Sequence, residues 1–177
     1  MKGSRVAKRY ARALLEIAER GQAENWGHEL DRLAAIVESP ELIARLTSPE
    51  ISETARREAM AKIAEKLNLS FPLRSFAVVV ARHGRVQDIA AMAERYARML
   101  DELLGRARAA LSFAREPSPE ELARVVAALE AIVHKKIIPT TKIDGALVGG
   151  VVAELEGKIY DGSLATRLAE AEQRLRG

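Results

Sequence analysis

The chain has 177 residues, of which 48% are hydrophobic and only 4% aromatic, and it contains no cysteine. This length suits one medium domain or two small ones, and the lack of cysteine excludes disulfides and thiolate metal sites. The 28 Lys/Arg and 25 Asp/Glu residues give a formal net charge of +3, with both signs interspersed. This interspersed charge does not indicate a nucleic-acid-binding protein, because such proteins usually concentrate positive charge on one face. No apolar run approaches the ~18–20 residues that cross a bilayer.

Apolar residues recur with a helical period through the first hundred residues and predict six helices. The first is expected from about Ser4 to Arg20, and its apolar face consists of Val6, Tyr10, Ala13, Leu14 and Ile17. A second helix is expected through Trp26 and Val37, and four more at about 40–46, 52–67, 71–82 and 86–104. Short loops between six helices predict an antiparallel bundle that ends at Gly105.

The fifth helix is the most apolar, with Leu73, Phe76, Ala77, Val79 and Val80. A helix that is apolar most of the way round is expected at the centre of its bundle.

After Gly105 the periodicity changes. Residues 106–115 alternate and predict a strand, and Ser118-Pro119-Glu120-Glu121 is a capping-box signature for a helix to about Lys135. Further strands are expected at about 136–143, 147–155 and 158–160, with a tight turn at Glu156-Gly157, and a last helix at about 163–176. The sequence therefore predicts a mainly α protein: a six-helix antiparallel bundle in residues 1–105, followed by a small α+β domain in residues 106–177.

Three glycines, Gly145, Gly149 and Gly150, interrupt a valine-rich stretch. A phosphate-binding loop would need a following Lys-Ser/Thr or the G-x-G-x-x-G spacing, and neither is present. Glycine inside a strand pattern more often marks a bulge or a close backbone approach. We therefore expect these glycines to serve packing.

No catalytic, metal or cofactor site is expected. The histidines, His28, His83 and His134, lie on different predicted helices and do not form the three or four converging ligands that a metal needs. No nucleophile motif is present, and the Asp and Glu residues follow the pattern of solvated helix faces.

The basic residues Lys2, Arg5, Lys8, Arg9 and Arg12 lie near the start of the first helix. Cations there oppose the helix macrodipole by a few tenths of a kcal/mol each. They form either an ordinary solvated face or a surface that meets an acidic partner segment.

With these residues in place, the chain resembles the delta subunit family of F-type ATP synthases, the counterpart of the mitochondrial oligomycin-sensitivity-conferring protein. The resemblance covers essentially the whole chain. It is carried by VAKRYARALLEIA at 6–18, ARHGR at 81–85, and a C-terminal signature made of 142–144, 147–152, 157–163 and Arg167-Leu168. Two departures are a glycine at Gly145 and the less basic stretch at 153–156, and neither removes a signature glycine.

The resemblance implies a non-catalytic connector that holds the catalytic head of a rotary ATP synthase against rotation. It implies that the bundle binds the N-terminal helix of an alpha subunit between the first and fifth helices, and that the C-terminal domain binds the peripheral-stalk b subunits. The groove residues expected from this are Val6, Tyr10, Ala13, Leu14, Phe76, Val79 and Val80. The signature residues expected to be structural are Asp144, Gly149, Gly150, Gly157, Asp161, Gly162, Ser163 and Arg167. The family location is the cytoplasmic face of the bacterial plasma membrane, reached only through the complex.

Two other classes stay open on the residues alone. One is a basic helical nucleic-acid-binding protein that uses Lys2 to Arg12 and Lys135-Lys136, whose binding would weaken steeply with salt. The other is a generic helical adaptor.

Overall fold

The computed structural model describes residues 2–19 and 21–163, with side-chain environments from residue 5 onward. It is mainly helical, with a four-stranded sheet in its C-terminal part. The chain divides into two compact units, Met1–Leu100 and Asp101–Gly177, and each has a hydrophobic core of its own. None of the described helices is both long and apolar enough to span a membrane. The predicted last helix beyond Ser163, including Arg167, lies outside the described residues.

The first unit is built from helices that begin at recognisable sequence signals. Pro40 and Pro72 stand in the first turns of two helices, and Ser52 Oγ accepts a hydrogen bond from the Ala55 N–H at 3.1 Å to cap a third. The helices are α1 (Lys2–Ile17), α2 (Ala23–Val37), α3 (Pro40–Thr47), α4 (Glu53–Lys66), α5 (Phe71–Arg82) and α6 (Ile89–Leu103).

The expected start of the sixth helix at Val86 is wrong by one short turn. Val86–Asp88 forms a 3-10 helix, and α6 begins only at Ile89. Gly84 adopts a left-handed φ of +62°, and the Asp88 N–H donates to the Arg85 carbonyl over three residues rather than four. This tighter turn buries Val86, which is 1% exposed, in the core.

Two apolar helix faces differ from the predicted ones. In α1 the core face consists of Ala7, Ala11 and Leu14, whereas Ile17 is 64% exposed. In α4 the sequence predicts an apolar row of Ala55, Ala59, Ile63 and Leu67, but the buried residues are Met60 and Ala64, and Ala55 is exposed. Alanine is a weak hydrophobic signal in sequence, so in α1 the larger side chains beside Ala7 and Ala11 suggest a different face from the one that packs.

The second unit contains the sheet, whose strand order is β2-β1-β3-β4. Its elements are β1 (Arg106–Phe113), α7 (Pro119–Val133), β2 (Lys136–Ile143), β3 (Val151–Leu155) and β4 (Lys158–Asp161). Strands β1 and β2 pair in parallel and are joined through α7, whereas β3 pairs antiparallel with both β1 and β4. Ala107, Ala109, Leu111 and Phe113 of β1 are all buried, as their alternation predicts.

Two local predictions in this unit are confirmed, and one boundary is wrong. Ser118 and Glu121 form the predicted capping box of α7. Glu156 and Gly157 both have positive φ values, 51° and 78°, as a two-residue hairpin turn between β3 and β4 requires. The strand predicted from residue 147 begins only at Val151, because the preceding residues form a turn in which the Leu147 N–H donates to the Asp144 carbonyl at 3.1 Å.

Candidate protein-binding groove

A ring contact joins helices α1 and α5. The rings of Tyr10 on α1 and Phe76 on α5 lie 6.1 Å apart between centroids, at an interplanar angle of 78°. Such an edge-to-face pair contributes about 0.5–1.5 kcal/mol beyond the buried area. It brings α1 and α5 into contact at this point.

The predicted groove residues differ in exposure. Leu14 and Val80 are core residues at 4% and 0% exposure, and Phe76 is also buried. Val6 and Tyr10 are half-buried, and Ala13 and Val79 are exposed. Ile17 extends the accessible row of α1, since positions 6, 10, 13 and 17 recur on one side of a helix. We refer to the accessible apolar residues Val6, Tyr10, Ala13, Ile17 and Val79 as the α1–α5 groove.

Basic side chains lie beside the groove. Arg5, Lys8, Arg9 and Arg12 are exposed on α1, and none of them forms an ion pair with another described residue. The Arg9 guanidinium lies 5.6 Å from the centroid of the Tyr10 ring, within cation–π range. The groove therefore has one positively charged edge.

Sequence reasoning missed Glu29, a carboxylate that is only 4% exposed. Its Oε2 accepts hydrogen bonds from the Ser70 N–H at 2.7 Å and the Ser70 hydroxyl at 2.8 Å, and its Oε1 accepts from Asn25 at 2.8 Å. Ser70 is the N-cap of α5, so α2 supplies the cap of a neighbouring helix and fixes where α5 begins. Its position in the sequence could have indicated its burial, because Glu29 follows Trp26 by three residues on the apolar face of α2.

The signature glycine Gly150 lies where the backbone of β3 meets the end of β4. Its φ is +86°, and a Cβ added there would lie 2.4 Å from the Gly162 carbonyl oxygen and 2.8 Å from the Ser163 Cα. Both are backbone atoms, so no side chain fits without moving a strand. The close approach also brings the Gly162 N–H to the Val151 carbonyl at 2.9 Å. Packing, rather than phosphate contact, accounts for this glycine.

Other signature residues form turns. Asp161 Oδ1 accepts from the Ser163 N–H at 2.9 Å, and Asp144 Oδ1 accepts from the Ala146 N–H at 3.0 Å. Such Asx turns satisfy backbone groups where a strand ends. Ser163 is 5% exposed, and Gly157 lies in the hairpin turn.

The described residues contain no group of three or more His, Asp or Glu side chains placed to hold a metal ion. His28, His83 and His134 lie on or beside three different helices. The features that stand out are an accessible apolar groove, a charged edge and tightly fitted turns. These features belong to a mainly helical protein with a small sheet-containing unit.

Comparison with known proteins names the family. A family model described as ATP synthase delta (OSCP) subunit matches residues 6–175. The chain is 33% identical to the ATP synthase subunit delta of Desulfatibacillum aliphaticivorans over 99% of this chain and 97% of that protein. It is 32% identical to the same subunit of Geobacter sp. (strain M21) over 97% of each chain. The chain belongs to the ATP synthase delta (OSCP) subunit family.

A solved structure supports the fold. The chain is similar to a chain of the Toxoplasma gondii mitochondrial ATP synthase hexamer, with a TM-score of 0.63 over 97% of both chains and 15% sequence identity. At this identity the likeness concerns the fold alone.

Proposed function

We propose that this protein is the non-catalytic delta subunit of a proton-translocating F-type ATP synthase and links the catalytic head to the peripheral stalk. The observation that carries the proposal is membership of the delta (OSCP) family along nearly the whole chain. In this role the protein transmits a restraining force while other subunits perform the chemistry. It reaches the cytoplasmic face of the bacterial plasma membrane only as part of the complex.

In this proposal the first unit is a six-helix antiparallel bundle whose α1–α5 groove receives the N-terminal helix of an alpha subunit. An amphipathic helix binds a groove through apolar side chains at helical spacing. Val6, Tyr10, Ala13 and Ile17 offer such a row on α1, and Val79 is an exposed apolar residue of α5, three positions after Phe76 of the Tyr10–Phe76 contact. Leu14 and Val80 support the groove from the core.

The second unit is proposed to bind the stalk b subunits. Its accessible surface carries large apolar side chains that the described fold does not cover, among them Ile143 at 65% and Ile159 at 72% exposure. Exposed apolar patches commonly mark protein interfaces.

Calorimetric titration with a peptide made of the N-terminal segment of the alpha subunit tests the groove. We expect one-to-one binding, and we expect Val79→Asp to weaken it by about 2 kcal/mol, or roughly thirtyfold, because a charge replaces an apolar contact. Ile36→Asp is the matched control, since Ile36 is 43% exposed on α2 and Val79 is 44% exposed on α5.

Equal binding by the wild type and Val79→Asp would contradict the groove assignment. Complete absence of binding to the wild type would contradict the connector role of the first unit. A nucleic-acid-binding protein would instead bind DNA or RNA with a steep salt dependence.

A further inference from the structure

Strand β2 lies at one edge of the sheet, with β1 as its neighbour on one side. The Lys136 N–H donates to the Gly105 carbonyl at 3.0 Å, and the Asp144 N–H donates to the Phe113 carbonyl at 2.8 Å. The N–H and C=O groups of one strand residue point to the same side, and that side alternates along the strand. Even-numbered residues of β2 therefore bond to β1, and the odd-numbered residues from 137 to 143 form its outer edge.

The first half of this outer edge is closed and the second half is open. The Ile137 N–H donates to Glu130 Oε1 of α7 at 3.0 Å, and Pro139 has no N–H to offer. The N–H groups of Thr141 and Ile143 form no hydrogen bond with another residue that the structure describes. We call residues 139–143 the open β2 edge. It presents the Pro139 carbonyl, the Thr141 N–H and carbonyl, and the Ile143 N–H in that order.

The side chains of the open β2 edge are accessible and differ between its two faces. All five residues are exposed. Ile137 is buried in the core beside α7, so by alternation Ile143 lies on the same face and Lys142 on the opposite one. Lys136 has Glu130 Oε2 at 3.7 Å, whereas Lys142 forms no ion pair with another described residue. The edge therefore carries a free cation on one face and an apolar side chain on the other.

A second copy of β2 fits this edge poorly. In an antiparallel pair centred on Thr141, the Ile143 N–H of each copy would donate to the Pro139 carbonyl of the other. Pro139 has no N–H to return the bond, so the Ile143 carbonyl of each copy would lack a donor. Proline on an edge strand is a common device against such self-pairing. A different segment can end opposite Pro139 and avoid this cost.

We infer that the open β2 edge accepts an extended segment of a different polypeptide as a fifth strand of the sheet. The segment carries a carboxylate beside Lys142 and an apolar side chain beside Ile143. Charge complementarity and cross-strand pairing select these two neighbours, while the backbone bonds to Pro139 and Thr141 supply affinity without regard to sequence. The inference does not rest on the proposed function, since any polypeptide with this chemistry can supply the strand.

Amide NMR of the full chain, titrated with a blocked synthetic peptide of alternating valine and glutamate, tests the inference. We expect saturable one-to-one shifts of the Thr141 and Ile143 amide signals, and slower exchange of both amides with solvent. Thr141→Pro removes an outward N–H and no bond to β1, and it should weaken binding about tenfold. Lys142→Glu should weaken it about threefold. The matched control is Lys158→Glu, which makes the same change of charge on exposed β4 at the other edge.

A second peptide with the same side chains and methylated backbone nitrogens distinguishes strand addition from side-chain contact. It should not bind, because it cannot donate to the Pro139 and Thr141 carbonyls. Equal binding of both peptides would overturn the inference, and this comparison uses the wild-type chain, so it does not depend on the folding of a variant. Shifts confined to other residues, or none at millimolar peptide, would overturn it as well.

Amide exchange in the free chain tests the other occupants of the edge. We expect fast exchange at Thr141 and Ile143. Slow exchange that depends on protein concentration would identify a second copy as the occupant. Slow exchange at every concentration would show that another segment of the same chain already covers the edge. Either result would overturn the inference.

Discussion

Tyr96 is the largest of the fully buried side chains among the described residues, and its hydroxyl donates to the Ala23 carbonyl at 2.9 Å. The bond ties α6 to the start of α2. Burial raises the pKa of Tyr96 from 10.0 to about 12, because the phenolate would lose its hydration. The Tyr96 phenol therefore stays protonated in the folded state over a pH range in which the same phenol is ionised in the unfolded chain.

This shift predicts a loss of stability at alkaline pH. Because the folded pKa is the higher one, the stabilisation is fully present below pH 10 and is lost as the pH rises toward about 12. At neutral pH we expect Tyr96→Phe to destabilise the protein by about 0.5–1.5 kcal/mol, since it removes the buried hydrogen bond from Tyr96 to the Ala23 carbonyl. The deficit should shrink above pH 10. Urea unfolding followed by Trp26 fluorescence, repeated from about pH 7 to pH 11, measures it.

Tyr10→Phe is the control, because Tyr10 is half-buried in the same unit as Trp26 and its hydroxyl forms no hydrogen bond with another described residue. A constant difference between the wild type and Tyr96→Phe at every pH would show that Tyr96 does not ionise differently in the two states.

Among the elements, α7 depends on its first turn. Ser118 Oγ accepts from the Glu121 N–H at 3.2 Å, and Glu121 accepts from the Ser118 N–H in return. The Ser118 N–H, followed by Arg115, holds the pKa of Glu121 below its usual value of 4.5. The charged carboxylate is thus part of the helix start.

Acid should therefore loosen α7. Because the folded pKa of Glu121 is the lower one, its contribution is present above pH 4.5 and is lost as the pH falls through the folded value. Glu121→Gln should speed hydrogen exchange of the first turns of α7 near neutral pH and leave exchange protection unchanged in acid below the folded pKa. Peptide-resolved hydrogen exchange gives the comparison. Glu120→Gln, one residue earlier, removes the same first-turn charge but no capping bond, so near neutral pH it should speed exchange less than Glu121→Gln does.

For the molecule as a whole, the two units have separate cores. Trp26 is the only tryptophan and belongs to the first core, so its fluorescence reports on that unit. Gly150 belongs to the second unit, where a Cβ would meet backbone atoms.

Gly150→Ala should lower the free energy of unfolding of the second unit by about 1–3 kcal/mol. This is the usual cost of holding a residue other than glycine in such a backbone conformation. Hydrogen exchange in β3 should rise, while the Trp26 unfolding transition stays in place. Gly145→Ala is the matched control, because nothing lies within 4 Å of a Cβ at Gly145. A shift of the Trp26 transition by Gly150→Ala would show that the two cores unfold together.

Local patterns along the chain were enough to predict the seven helices of the described residues, most strand positions and the family. Helical and alternating patterns and the Ser118–Glu121 cap are local, because they depend on the periodicity of the backbone and on neighbours a few residues away. Signature residues can also be recognised from the sequence, because local turn geometry fixes their positions. The hairpin turn between β3 and β4, for example, requires a residue such as Gly157 at one place in the chain.

The accessibility of individual side chains, in contrast, follows from the packing of the elements. Val79 and Val80 are adjacent and equally apolar, yet one is exposed and the other is buried, because neighbouring positions on a helix point about 100° apart. The Glu29–Ser70 contact spans 41 residues, and the pocket lined by Phe113 and Val148 joins the end of β1 to the loop before β3. Such sites depend on distances between elements, which periodicity along the chain does not contain.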